Sequence, residues 1–149
     1  MTLQNLLRIG RLKEHTPVAA EIRRLLAAID RNLGDADIKE NSNETRLDVA
    51  YKVIMQASLV AMLCAGYQPS TSEPSHHQTM IQSLPLTLGV GSEVWVVLDA
   101  MRQLRNANDY TGKPVSDTTT RECIGEARAL RDRLHQHLAK HHAAMLAAP

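Results

Sequence analysis

The sequence has no phenylalanine, one tryptophan and three tyrosines, so aromatic residues make up only 3% of 149. That scarcity argues against a β-sandwich, and it leaves no aromatic platform on which bases could stack. Charge of one sign is also missing: 17 Lys and Arg face 16 Asp and Glu, a formal net charge of +1. A protein that coats nucleic acid through bulk charge is thereby excluded. Cysteine is nearly absent. Cys64 and Cys123 stand alone, with no CxxC pair, and read as small buried hydrophobes kept reduced; a disulfide between them would be unusual in a cytosolic chain. The longest apolar run, Val53 to Ala65, is broken by Gln56 and Ser58 and spans thirteen residues, short of the about 20 that a membrane helix needs. The opening MTLQNLLRIGRLKEH has neither a signal-peptide core nor a small-residue cleavage site. A soluble, cytoplasmic protein without a membrane role is expected. No glycine-rich phosphate loop and no zinc knuckle occurs, and no cofactor or metal is expected.

Leu, Ala, Met and Arg carry the sequence instead, and they favour helices. The length fits one domain spanning 1–149. Residues 1–15, with Leu3, Leu6, Leu7 and Leu12, read as an N-terminal docking helix. Thr16-Pro17 signals a helix start, Val18, Ile22, Leu25, Ile29 and Leu33 give one apolar face, and Gly34 supplies the stop. Ser42 or Asn43 caps a second helix from about Glu44 to Ala65. It is apolar almost all round after Val53, and Ala50, Ala57, Ser58, Ala61 and Ala65 keep it slim, so it is predicted to be the central one. Between Val53 and Met101 there is no Lys or Arg, which makes this stretch a major source of the core. Tyr67 to Ser75 reads as a mobile loop, His76 to Leu84 as a short helix ending before Pro85, and Leu86 to Ser92 as a turn.

Ser92 is predicted to cap a fourth helix, with Val94, Val97, Leu98, Met101 and Leu104 as its core stripe; Gly112 and Pro114 end it near Tyr110. Ser116 or Asp117 caps a long fifth helix with Cys123, Ala127, Leu130, Leu134 and Leu138 inward, and 139–149 reads as a frayed tail. No run reads as a strand. The expected fold is an all-α, antiparallel up-and-down bundle of about five helices.

The fourth helix ends in LDAMRQLRNANDYTG. At about 100° per residue, Arg102, Arg105, Asn106 and Asp109 share a sector of about 100° beside the apolar stripe. Two guanidinium forks one turn apart suit a phosphodiester, Asp109 is spaced to orient Arg105, and Tyr110 adds a phenol. The plainer reading is an Arg–Asp helix pair contributing a few tenths of a kcal/mol. Two other clusters weigh less. His137 and His141 lie one turn apart with His135 and His142 nearby, but no carboxylate or Cys completes a metal set. Arg121, Arg128, Arg131 and Arg133 alternate with Glu122, Glu126 and Asp132, as on an ordinary solvated face.

The run from Arg46 through Tyr110 resembles HEPN-domain proteins, in RLDVAYKVIMQASLVAMLCAGYQP, in HHQTMIQSLP and above all in VLDAMRQLRNANDY. The resemblance implies a helical bundle that commonly dimerises and brings polar helix ends into a shared cleft. Many such proteins are metal-independent ribonucleases, toxins or defence effectors; others pair with nucleotidyltransferases or have no demonstrated activity. Active members carry an Arg, a polar residue and a His four to six residues after the Arg. Arg105 and Asn106 match the first two, but Tyr110 and Thr111 stand where the His is expected, and no His occurs between His77 and His135.

Metal-free RNA cleavage needs a group that takes the 2′-hydroxyl proton, a role His fills near neutral pH and Arg does not. His76 and His77, at the start of the third helix, are candidates to reach the cleft from elsewhere in the fold; local hydrogen bonding at a helix N-terminus is the plainer reading. The expectation is therefore a homodimer that binds RNA or a nucleotide through Arg102, Arg105, Asn106, Tyr110, His76 and His77 without strong catalysis. One alternative is a metal-independent endoribonuclease using Arg105, Asn106, Asp109 and Tyr110. Another is a protein-interaction or antitoxin-like subunit in which the cluster is a structural latch; the protein partner expected is a nucleotidyltransferase or an antitoxin-type protein.

Overall fold

A computed structural model of the chain describes residues 1–72 and 74–147. In chain order the elements are α1 (Leu3–Arg8), β1 (Leu12–Glu14), α2 (Ala19–Ala36), α3 (Asn43–Cys64), β2 (Tyr67–Pro69), α4 (His76–Gln82), α5 (Leu84–Leu88), α6 (Ser92–Thr111) and α7 (Asp117–His141), closed by a 3₁₀ turn over Ala143–Met145. The architecture is a helical bundle with one minimal sheet.

α3 is the axis. Ser42 caps it by accepting from the Thr45 amide, and Ala50, Ala57, Ser58 and Ala61 are buried, letting neighbours approach closely. Ile22, Ile29 and Leu33 of α2 and Ala127, Leu130, Leu134 and Leu138 of α7 join the same core. By length and composition α3 alone among the described helices could cross a membrane, with mean hydropathy 1.5, yet 72% of that stretch is buried inside the fold. Asn43 at its start donates to the Val115 carbonyl (3.0 Å) and to Asp117 (2.7 Å), while Glu44 accepts from the Val115 amide (3.1 Å). These bonds fasten α3 to the turn between α6 and α7. Ser116 caps α7 by accepting from the Thr119 amide.

Several boundaries differ from those read in the sequence. The first fifteen residues hold a six-residue helix and a strand, not one docking helix. β1 pairs antiparallel with β2, Leu12 opposite Pro69 and Glu14 opposite Tyr67, so the start of the expected 67–75 loop is strand. Gly66, at φ +96°, makes the turn from α3 into β2 that other residues resist. Strands this short carry no alternation, and their partners are remote in sequence. α2 starts at Ala19 after Val18 rather than at Pro17, and it runs through exposed Gly34 to Ala36. It continues because Leu33 and Ala36 are both buried and Arg46 Nε donates to the Ala36 carbonyl (2.7 Å), satisfying the helix end.

The third predicted helix is two. Ser83 lies between α4 and α5 and donates to the Thr79 carbonyl (2.6 Å); Pro85, in the first turn of α5, has no N–H to continue the α4 ladder. Leu86 to Leu88 is therefore helix, not turn. Gly91, not Ser92, occupies the cap position of α6. In the α6 stripe Leu98 and Met101 are buried, whereas Val97 (44% exposed) and Leu104 (37%) are open. α6 rests on α3, α4 and α5 and stands off α7, leaving a cavity of 290 Å³ beside Val97, Leu104 and Cys123. The tail is not frayed at residue 139. α7 continues to His141, Met145 and Leu146 pack on the core, and Arg23 donates to the Ala147 carbonyl (2.6 Å). Residues 148 and 149 of that predicted tail lie outside the described residues.

Candidate functional site

The polar end of α6 divides into groups with different surroundings. Asp99 is buried and accepts from Arg102 Nε at 2.7 Å and from Gln103 Nε2 at 3.1 Å. Arg102 is itself only 18% exposed, so its guanidinium is committed to an internal pair. Breaking a buried pair strands the remaining charge at about 3–5 kcal/mol. Arg102 is a brace.

Arg105 is held differently. Its Nε donates to Asp48 of α3 at 3.3 Å and stands 3.6 Å from Asp109, with both acids about half exposed. Pairs of this kind contribute only about 0–1 kcal/mol, less than a charge-assisted fork on an anion can offer. The guanidinium carbon lies 5.4 Å from the centre of the Tyr51 ring. Arg105, Asp48, Lys52, Tyr51 and His77 line one groove of 480 Å³ between α3, α4 and α6. Among the described residues Lys52 makes no ion pair.

The other residues of the expected strip do not enter this groove. Asn106 is half-buried and not part of its lining; Asp109 reaches it only through Arg105. Tyr110 is 93% exposed. Five residues after Arg105 on a helix, it projects about 140° away, so adjacency in sequence misplaced it.

A histidine from another helix, α4, also lines this groove. His77 Nδ1 is 3.4 Å from the Tyr51 hydroxyl, and the two rings are tilted at 6.3 Å. His76 meets His77 edge-on at 4.4 Å and lines the neighbouring cavity. Burial against α3, and then the charges of His76, Arg105 and Arg102, lower the His77 imidazole below the usual histidine range. His77 is thus neutral at pH 7, competent to accept a proton. Burial raises the Tyr51 phenol, with Arg102 and Arg105 opposing and Asp99 assisting, so it stays protonated.

Sequence reasoning missed Tyr51, Asp48, Lys52 and Asp99. Asp48 and Lys52 lie one turn apart on α3, and that spacing around a tyrosine was the available signal. Asp99 and Arg102 at i,i+3 were legible as a pair, but not as a buried one. At the end of α7, the His137 ring lies 4.7 Å from that of His141 and 5.6 Å from that of His142. Among the described residues no group of three His, Cys, Asp or Glu is arranged to hold a metal ion.

Comparison with protein-family models, with curated proteins and with solved structures finds no match to this chain.

Proposed function

We propose that this chain is a HEPN-like up-and-down bundle, acting in the cytoplasm as a homodimer that binds RNA or a nucleotide in the groove of Arg105, Lys52, Tyr51 and His77. The observation that carries the reading is the weak tethering of Arg105 beside Lys52, which makes no ion pair among the described residues; a phosphate can then displace Asp48 and Asp109. Dimerisation is supported by the exposed Val96, Val97 and Leu104 of α6, an apolar face that a second copy would cover.

A second reading, metal-independent endoribonuclease, is favoured by His77. A neutral imidazole beside a guanidinium fork is suited to take the 2′-hydroxyl proton while Arg105 neutralises charge developing on the phosphorus oxygens. The 2′-oxygen then bonds to phosphorus, the bond to the 5′-oxygen breaks, and that oxygen takes a proton from water. The latch reading is kept for Arg102, which the buried Asp99 engages.

Labelled RNA incubated without metal tests both. Wild-type protein is expected to retain the RNA and Arg105→Ala to release it; His77→Ala is expected to abolish any cleavage. Equal retention and equal integrity of RNA with wild type and Arg105→Ala would reject the proposal.

A further inference from the structure

A second cavity, of 540 Å³, adjoins the Arg105 groove. Met55 and His77 line both, so the two are neighbours separated by these side chains. The second chamber has an apolar floor from Leu25 of α2, Leu59 of α3 and Met80 of α4. Its rim is polar, with Gln56, Gln68, Arg24 and Glu21, the last paired with His15 at 2.9 Å. Asn32 engages the Gln56 amide oxygen at 2.8 Å, which leaves the Gln56 NH₂ group as the donor it offers. Among the described residues Arg24 makes no ion pair.

Two kinds of surface therefore meet at His77. On one side are Lys52 and Arg105, the latter tethered to Asp48; on the other is an apolar slot whose polar edge includes the amides of Gln56 and Gln68. Along α3, Lys52 and Leu59 are about two turns apart, about 10 Å at about 1.5 Å per residue. Phosphate alone fills only the cationic end. An acyl chain fills the slot but leaves the amides of its rim unpaired, at a cost that hydrogen-bonding occupants avoid. A nucleobase has apolar faces and a hydrogen-bonding edge, and its sugar joins it covalently to its phosphate.

We infer that the two neighbouring cavities hold one nucleoside monophosphate unit, free or within single-stranded RNA, with its phosphate on Arg105 and Lys52 and its base in the Leu25–Leu59–Met80 chamber. The inference rests on the reading of the Arg105 groove given above and adds the base chamber to it. Base-paired RNA is excluded, because the base must leave its stack to enter.

Calorimetric titration of the full chain with ribose 5-phosphate, with each of the four nucleoside monophosphates, and with one oligoribonucleotide in single-stranded and duplex form tests this. At least one nucleotide should bind about tenfold tighter than ribose 5-phosphate, a difference of about 1.4 kcal/mol, and the single strand should outcompete the duplex. Binding by the oligonucleotide but not by free nucleotides identifies the RNA-borne unit as the occupant. Thr71→Trp, at the exposed lip of the chamber, should erase the base advantage and leave ribose 5-phosphate binding unchanged. Gln68→Ala, on the same lip, should alter the ranking among the four bases and serves where the tryptophan perturbs folding. If ribose 5-phosphate binds as tightly as the nucleotides do, or if the base advantage survives Thr71→Trp and the ranking of the bases is unchanged in Gln68→Ala, the chamber is overturned while the Arg105 groove stands. If neither ribose 5-phosphate nor any nucleotide or RNA binds, both readings fall.

Discussion

His77 of α4 and Arg105 of α6 converge on a single α3 side chain, Tyr51: the imidazole nitrogen is 3.4 Å from the phenol oxygen, and the guanidinium carbon is 5.4 Å from the ring centre. The tyrosine is 4% exposed, so three helices are referred to one rigid ring. Groups placed by a buried platform keep their geometry better than groups placed by a loop.

Tyr51→Ala should destabilise the protein by about 3–5 kcal/mol, the usual cost of emptying a large buried ring site. Tyr51→Phe should cost only about 1 kcal/mol or less, since it removes a hydroxyl and keeps the packing. Urea denaturation of the two variants separates platform from hydrogen bond; equal losses would show that the ring itself is unimportant.

Arg102→Ala and Arg105→Ala should behave oppositely. Arg102→Ala leaves the buried Asp99 carboxylate with Gln103 alone and should lower stability by about 3 kcal/mol. Arg105→Ala should change stability by about 1 kcal/mol or less, because its partners are exposed. A larger stability loss for Arg105→Ala would mean that the groove cation is structural.

Acid should weaken the fold through three histidines. Burial, as the leading cause, lowers His77, His135 and His137 from the ordinary 6.5, and His135 Nε2 is buried without a hydrogen-bond partner among the described residues. The unfolded chain then binds more protons than the folded one in the window just below pH 6.5, so stability falls as pH drops through it. Melting temperature is expected to decline from pH 7.5 to about pH 5, less steeply in His135→Leu. A flat profile above pH 5 would contradict this.

Both thiols should be silent in the native state. Burial, reinforced by nearby glutamates, pushes Cys64 and Cys123 up to about 11, and each is less than a tenth exposed. A chromogenic disulfide reagent at pH 8 should find no fast-reacting thiol in the folded protein and two after urea unfolding. Rapid native reaction would place a cysteine at the surface.

Much of the helical order was legible in the residues. Ser42 and Ser116 cap where a hydroxyl precedes an apolar period, and Gly112 adopts the left-handed conformation that ends α6. The centrality of α3 was legible too, because apolar residues on every side of one helix leave it no solvent face. The errors cluster where a partner is remote in sequence. Gly34 was read as a stop, but Arg46 satisfies the end of a longer helix. Leu12–Glu14 and Tyr67–Pro69 are too short to show a pattern and are strands only because they meet.

The site follows the same division. Helical spacing settled that Arg102, Arg105 and Asp109 share one side of α6, since a fixed rotation per residue needs no neighbours. Which arginine is sealed and which is offered depended on whether a carboxylate was buried beside it, and burial is a property of packed helices. Likewise, a missing histidine within α6 says nothing of one delivered by α4. Periodicity is written along the chain, whereas solvent exclusion and meetings across helices arise only once the chain has closed on itself.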